Sequence, residues 1–99
     1  MSNLDNKKFV TVTLDIYCFW LNEAPSYRLY VNEELFADRT FRWKEDKYLQ
    51  EVIPLHAEPG LYTIEIEHND KHIVDFNANN LQIKKGNAVR ISDREFEIK

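Results

Sequence analysis

The sequence predicts an all-β fold: an antiparallel β-sandwich, jelly-roll-like, of about eight short strands. One domain spans residues 1–99. Three observations predict it. Apolar and polar residues alternate along most of the chain, the period of a half-buried strand. Turn signals recur at short intervals. No stretch keeps a helical apolar period bounded by caps.

The alternation is clearest over residues 10–20. Val10, Val12, Leu14, Ile16, Cys18 and Trp20 form one face, with Thr11, Thr13, Asp15 and Tyr17 between them. Residues 27–31 repeat it with Tyr27, Leu29 and Val31 against Arg28 and Tyr30. Asn32-Glu33-Glu34 interrupts, and residues 35–43 resume, so the two segments form a hairpin. Asn at such a turn accepts positive φ. After the charged turn 44–47, residues 48–55 form the next strand. Residues 56–60, with Pro59-Gly60, read as a five-residue turn leading to a strand at 61–68. Residues 73–76, 81–83, 88–91 and 96–98 are short closing strands. Lys84-Lys85-Gly86-Asn87 is a hairpin-turn signal. A closed barrel satisfies the same pattern.

Composition narrows the function classes. The chain is 43% hydrophobic and 30% charged, enough to bury a core and too ordered in pattern for disorder. A net charge of −4 and the absence of a basic run argue against nucleic acid, whose phosphates need surplus Lys and Arg. No apolar run approaches the roughly 20 residues of a membrane helix. The polar start, residues 1–6, lacks the regions of a signal peptide. The expected location is therefore cytoplasmic on synthesis, with a virion as the later setting. Cys18 stands alone, which excludes an intramolecular disulfide and suggests a buried, inert thiol.

No enzyme is expected. The chain has no nucleophile elbow, P-loop, dinucleotide fingerprint or CxxC. Nothing in the spacing of its seventeen acidic residues selects a catalytic pair. His68 and His72 flank the turn Asn69-Asp70-Lys71, and a zinc site would need a third ligand. If residues 48–55 pair with 61–68, then Glu51, Glu65 and Glu67 share a face. Asn69 and Asp70 at its end make calcium the one cofactor the pattern suggests, since calcium takes oxygen ligands. Trp20, Tyr27 and Tyr62 fall in phase with buried faces. Tyr17, Phe19 and Tyr30 lie opposite, so a second surface is covered by the fold or by a partner.

Three stretches carry a family resemblance: Tyr27-Arg28-Leu29-Tyr30-Val31-Asn32, then residues 60–70, then Asn79-Asn80-Leu81-Gln82-Ile83. Residues 27–83 resemble the calcium-dependent xylan-binding type of β-sandwich carbohydrate-binding module. The resemblance implies a sandwich fold, polysaccharide as ligand, and calcium held near Asn69 and Asp70. The early turn has Glu33 where such modules carry glycine, and the loops are short and charged. Free-standing sandwiches of this size also look like accessory parts of phage virions, such as capsid decoration or tail components. The resulting expectation is a non-catalytic interaction domain that docks on a larger protein assembly. Arg28, Tyr30, Arg39, Arg42 and Trp43 are its expected contact residues, because Arg and large aromatics anchor interfaces. Calcium-assisted carbohydrate binding is the alternative.

Overall fold

A computed structural model describes residues 6–42 and 48–99. Trp43, one of the expected contact residues, lies outside the described residues. Among the described residues there are eight strands: β1 (Lys8–Trp20), β2 (Ser26–Val31), β3 (Glu34–Thr40), β4 (Tyr48–Ala57), β5 (Gly60–Glu67), β6 (Ile73–Lys85), β7 (Ala88–Arg90) and β8 (Glu95–Ile98). They form two antiparallel sheets, one ordered β4-β1-β6 and the other β3-β2-β5-β8-β7. The architecture is the expected all-β sandwich, not a closed barrel.

The core forms where the alternation places it. Val10, Val12, Leu14, Ile16 and Cys18 of β1 are buried. They join Tyr27, Leu29 and Val31 of β2, Ile53 of β4, Ile64 of β5, Leu81 of β6 and Phe96 and Ile98 of β8 in one cluster. Each such aliphatic or aromatic side chain contributes about 1.5–3 kcal/mol on leaving water. Strands β1 and β6 have 13 residues each; β1 is the long strand expected from residue 10 to 20, and β6 is longer than the short strands expected there. They give the molecule a long axis of 56 Å against 21 and 16 Å across.

The β2–β3 hairpin turns on Asn32 and Glu33, with φ of 49° and 72°. Two consecutive positive φ values give the tight turn whose twist suits a hairpin. Asn32 also ties the turn to β5. Its Oδ1 accepts the Thr63 N–H at 2.7 Å, and its Nδ2 donates to Leu61 O at 3.2 Å.

Four expectations about the strands need correction. Residues 73–76 and 81–83 belong to one strand, β6, not two. The intervening Asn77, Asn79 and Asn80 read as loop residues, but they sit in a ladder that pairs with β1 from Ile73 to Lys85 through bulges. Asn80 takes φ 60° within it, a conformation asparagine tolerates. Residues 48–55 and 61–68 do not pair. β4 pairs with β1 and β5 pairs with β2 and β8, so the chain changes sheet between Ala57 and Gly60. Gly60, with φ 149°, allows that corner. The Gly86 turn is likewise a change of sheet, since β6 and β7 lie in different sheets. A Cβ at Gly86 would collide with Phe9 O, so only glycine lets these backbones approach. The third strand ends at Thr40, short of the predicted residue 43.

Candidate functional site

Alternation within the strands gives each sheet an inner and an outer face, and the two outer faces differ in chemistry. On the five-stranded sheet the outer face is ionic. Arg28 of β2 lies between Asp38 of β3, at 3.5 Å, and Glu67 of β5, at 3.4 Å. Tyr30 neighbours Glu65 across the β2–β5 ladder. A shallow depression of about 280 Å³ is lined by Arg28, Asp38, Glu67, Asn69 and Asp70, among others. Another, of about 330 Å³, is lined by Tyr30, Glu33, Glu65, Ile66 and Glu67.

The structure thus brings Arg28 and the two calcium candidates, Asn69 and Asp70, to one depression. Asp70 has a structural task there. Its Oδ1 accepts the His72 N–H at 2.9 Å and its Oδ2 accepts the Ser26 N–H at 3.0 Å. These two bonds, that from His72 first, hold its carboxyl below the ordinary aspartate value. Asn69 is exposed beside it. Among the described residues, no group of three or more His, Cys, Asp or Glu is placed to hold a metal ion. His68 stacks on Phe76 at 4.3 Å and His72 approaches Glu23 at 3.7 Å, so the two histidines serve different neighbours.

Glu51, Glu65 and Glu67 do not share a face. Glu65 and Glu67 are exposed on β5, whereas Glu51 is 2% exposed and points between the sheets from β4. There it accepts the Tyr27 hydroxyl at 2.5 Å. The Arg39 guanidinium spans both Glu51 oxygens, at 3.1–3.3 Å. Burial, and then the bond to the Glu51 carboxylate, raise the Tyr27 hydroxyl above its ordinary pKa. The buried Tyr27–Glu51 pair, capped by the half-exposed Arg39, latches β2 and β3 of one sheet to β4 of the other. Arg39 therefore faces the opposite side of β3 from the Arg28–Asp38 pair. Arg42 is exposed after β3. The four described contact candidates do not form a single patch.

The outer face of the three-stranded sheet is less charged; exposed apolar residues occur on both outer faces, with Leu35, Leu61 and Val89 on that of the five-stranded sheet. Register places Phe9 beside His56, Thr11 beside Pro54, Thr13 beside Val52, Asp15 beside Gln50 and Tyr17 beside Tyr48. Phe9 is 76% exposed, Tyr48 60% and Val52 51%. The Phe9 ring stacks on His56 at 4.2 Å. Across the middle runs a chain of side-chain hydrogen bonds. Gln50 Nε2 donates to Asp15 Oδ1 at 3.5 Å, and Asn80 Nδ2 donates to Asp15 Oδ2 at 2.9 Å. Gln82 Nε2 then donates to Asn80 Oδ1 at 3.1 Å, and Lys84 Nζ to Gln82 Oε1 at 2.7 Å. The result is a set of oriented planar polar groups bordered by exposed rings.

Tyr17 and Phe19 are legible from alternation on this side of β1, whereas the place of Phe9, Gln50, Val52 and Asn80 on it is not. Their grouping depends on β1 pairing with β4 and β6, which no local pattern reveals. Among the described residues no helix is long and apolar enough to cross a membrane. No protein-family model, curated protein or solved structure matches this chain, so its site is read from these geometries alone.

Proposed function

We propose that this chain is a non-catalytic docking module, an accessory component of a larger protein assembly such as a phage virion. The observation that carries the reading is the outer face of the three-stranded sheet. Phe9, Tyr48 and Val52 are large apolar side chains exposed along one face of that sheet. Such grouping on a small domain fits an interface, whereas scattered exposed apolar residues need no explanation. The polar groups around it are bonded to each other. The surface differs from the Arg28 and Tyr30 surface expected from sequence, where Arg28 is already paired with Asp38 and Glu67.

Cosedimentation with the particles made by the producing cell tests this. Wild-type chain should pellet with its assembly, and a Phe9→Ser/Tyr17→Ser variant of unchanged melting temperature should stay in the supernatant. A wild-type chain that pellets with none of those particles would sink the docking reading.

Carbohydrate binding is the second reading, favoured by the Gln50–Asp15–Asn80–Gln82 chain beside Tyr48. Planar amides and carboxylates suit vicinal hydroxyls, and an exposed ring suits the apolar side of a sugar. Calorimetry with soluble polysaccharides, wild type against Gln50→Ala, tests it; no heat with any of them would remove it. In either reading, millimolar calcium should leave the melting temperature unchanged, because Asp70 already serves two backbone donors. An upward shift would restore calcium, since a ligand of the native state must stabilise it.

A further inference from the structure

A cleft of about 450 Å³ opens between the two sheets, on the side where the edge strands β3 and β4 lie. Phe36 of β3 and Tyr62 of β5 wall it from one sheet, and Leu55 and Ala57 of β4 from the other. All four are partly buried against the core, so each keeps some apolar surface toward the opening. One end is closed where the chain crosses from sheet to sheet after Ala57, and there the Tyr62 hydroxyl donates to Glu58 O at 2.6 Å. Apolar clefts of about 300–1,000 Å³ with a few polar groups are the usual form of a small-molecule site.

Two features of β3 shape this cleft. The first is a bulge. Leu29 pairs with Ala37 and Tyr30 with Leu35, which leaves Phe36 out of the ladder. A bulge re-aims a side chain and recurs beside functional sites. Here Leu35 takes the outer face beside Tyr30, and Phe36 packs inward. The second is Glu34. It is the cross-strand partner of the buried Val31, so it stands on the inner side of its sheet and lines the cleft. Glu51 also faces inward, and its charge is met by Arg39. Glu34 has no ion pair among the described residues. Arg39 is five residues further along an extended strand, about 16 Å away, and is already paired. Lys8, opposite Ala57 in the facing sheet, makes no ion pair with Glu34 either.

We infer that this cleft binds a small organic amine that carries an apolar ring or branched chain. The ammonium group pairs with the Glu34 carboxylate at the mouth. The apolar part lies between Phe36 and Tyr62 on one wall and Leu55 and Ala57 on the other. Charge decides the class of ligand. A carboxylate bordered by apolar walls attracts a cation more strongly than one in open water, and it repels an anion. The two rings favour the same choice, since an aromatic face attracts a cation and its edge packs on another ring. The bound amine joins β3 to β4 at this end of their gap, as Arg39 and Glu51 do further along. The inference stands apart from the docking reading, because the cleft lies between the sheets and the docking surface on an outer face.

Titration of the isotope-labelled intact chain with 2-phenylethylamine, followed by amide NMR, tests it. The amides of Phe36, Leu55, Ala57 and Tyr62 should shift and saturate, with a Kd at or below about 1 mM. The anion of the same shape, 3-phenylpropionate, should bind at least about tenfold more weakly, and so should ethylamine, which lacks the ring. Glu34→Gln should weaken the amine by about tenfold or more at an unchanged melting temperature, because Glu34 is exposed and holds no partner to lose. Ala57→Phe fills the cleft and should remove binding. The absence of a saturable shift at about 10 mM amine would overturn the inference. So would equal affinity for amine and anion. An unchanged affinity in Glu34→Gln would overturn it as well, and would leave that inward charge only the task of blunting the β3 edge. Tighter binding of an extended Lys-Phe peptide would assign the cleft to a protein partner instead of a small amine. Loss of cosedimentation with particles in a chain that still takes the amine would count only against the docking function.

Discussion

Tyr27 and Glu51 form the most testable contact inside the sandwich. Both are 2% exposed, and they join β2 of one sheet to β4 of the other. Tyr27→Phe removes one hydrogen bond to a carboxylate. Arg39 continues to pair Glu51 from the side, so the loss should fall at the low end of charge-assisted bonds, about 1.5 kcal/mol. Glu51→Leu is costlier. It strands a buried Tyr27 hydroxyl and should cost about 2 kcal/mol. The Arg39 side chain is 47% exposed and rehydrates, so its lost partner adds little. The double variant leaves neither a stranded hydroxyl nor a buried charge. It should return to within about 0.5 kcal/mol of wild type, which makes the coupling about 3 kcal/mol.

Urea unfolding of the four proteins reads this directly, with the midpoint shifting and the slope constant. Two single losses that simply add within about 0.5 kcal/mol would refute the latch. The pH dependence gives a second readout. The folded Tyr27 pKa lies above its ordinary value of 10.0, so the folded chain holds the proton longer than the unfolded one. That stabilisation is complete below pH 10 and is lost as pH rises above it. The loss should approach about 1.4 kcal/mol per pH unit from this group. Tyr62 and Cys18 are shifted the same way, so the test is the difference between wild type and Tyr27→Phe. Identical alkaline slopes would contradict the assignment.

Three further outcomes follow from particular backbone and burial features. Gly86→Ala should cost about 3 kcal/mol, a fall of about 12–24 °C in melting temperature for a domain of this size. The new Cβ meets Phe9 O at a φ of 92°, and calorimetry showing a loss under 1 °C would remove the close approach. Glu33→Gly should stabilise by about 0.5–1 kcal/mol, because Glu33 sits at φ 72° where an L side chain is strained. A shift of the denaturation midpoint to lower urea would count against that turn geometry. Cys18 should resist disulfide reagents at pH 8 until the chain unfolds. It is fully buried, and burial, with Asp70 and Asp75 nearby, pushes its thiol up to about 11; labelling at the rate of a free thiol would refute its burial.

The all-β class and the core follow from local pattern. A period of two over residues 10–20 commits Val10 through Cys18 to one face whatever strand lies beside them. The Asn32 turn is equally local, since its conformation depends on what that residue tolerates in φ. Pairing is a different matter. Residues 48–55 and 61–68 read as one hairpin because they are close in sequence and both alternate. Their apolar faces are satisfied equally well on opposite walls of the sandwich, and the turn at Pro59-Gly60 permits either arrangement.

The same limit governs the site. Glu51 reads as one more surface acid, and only the stacking of β4 over β2 and β3 turns it into a buried partner of Tyr27 and Arg39. Arg28 and Arg39 look alike in sequence, yet they leave β2 and β3 on opposite sides. The outer face built from Phe9, Tyr48 and Val52 gathers residues from two strands whose register is not written in either. Alternation is a one-dimensional property and so determines which residues are buried. Which strands meet, and hence which exposed residues stand together, is set by the summed packing of distant segments and is decided only when the two sheets close on each other.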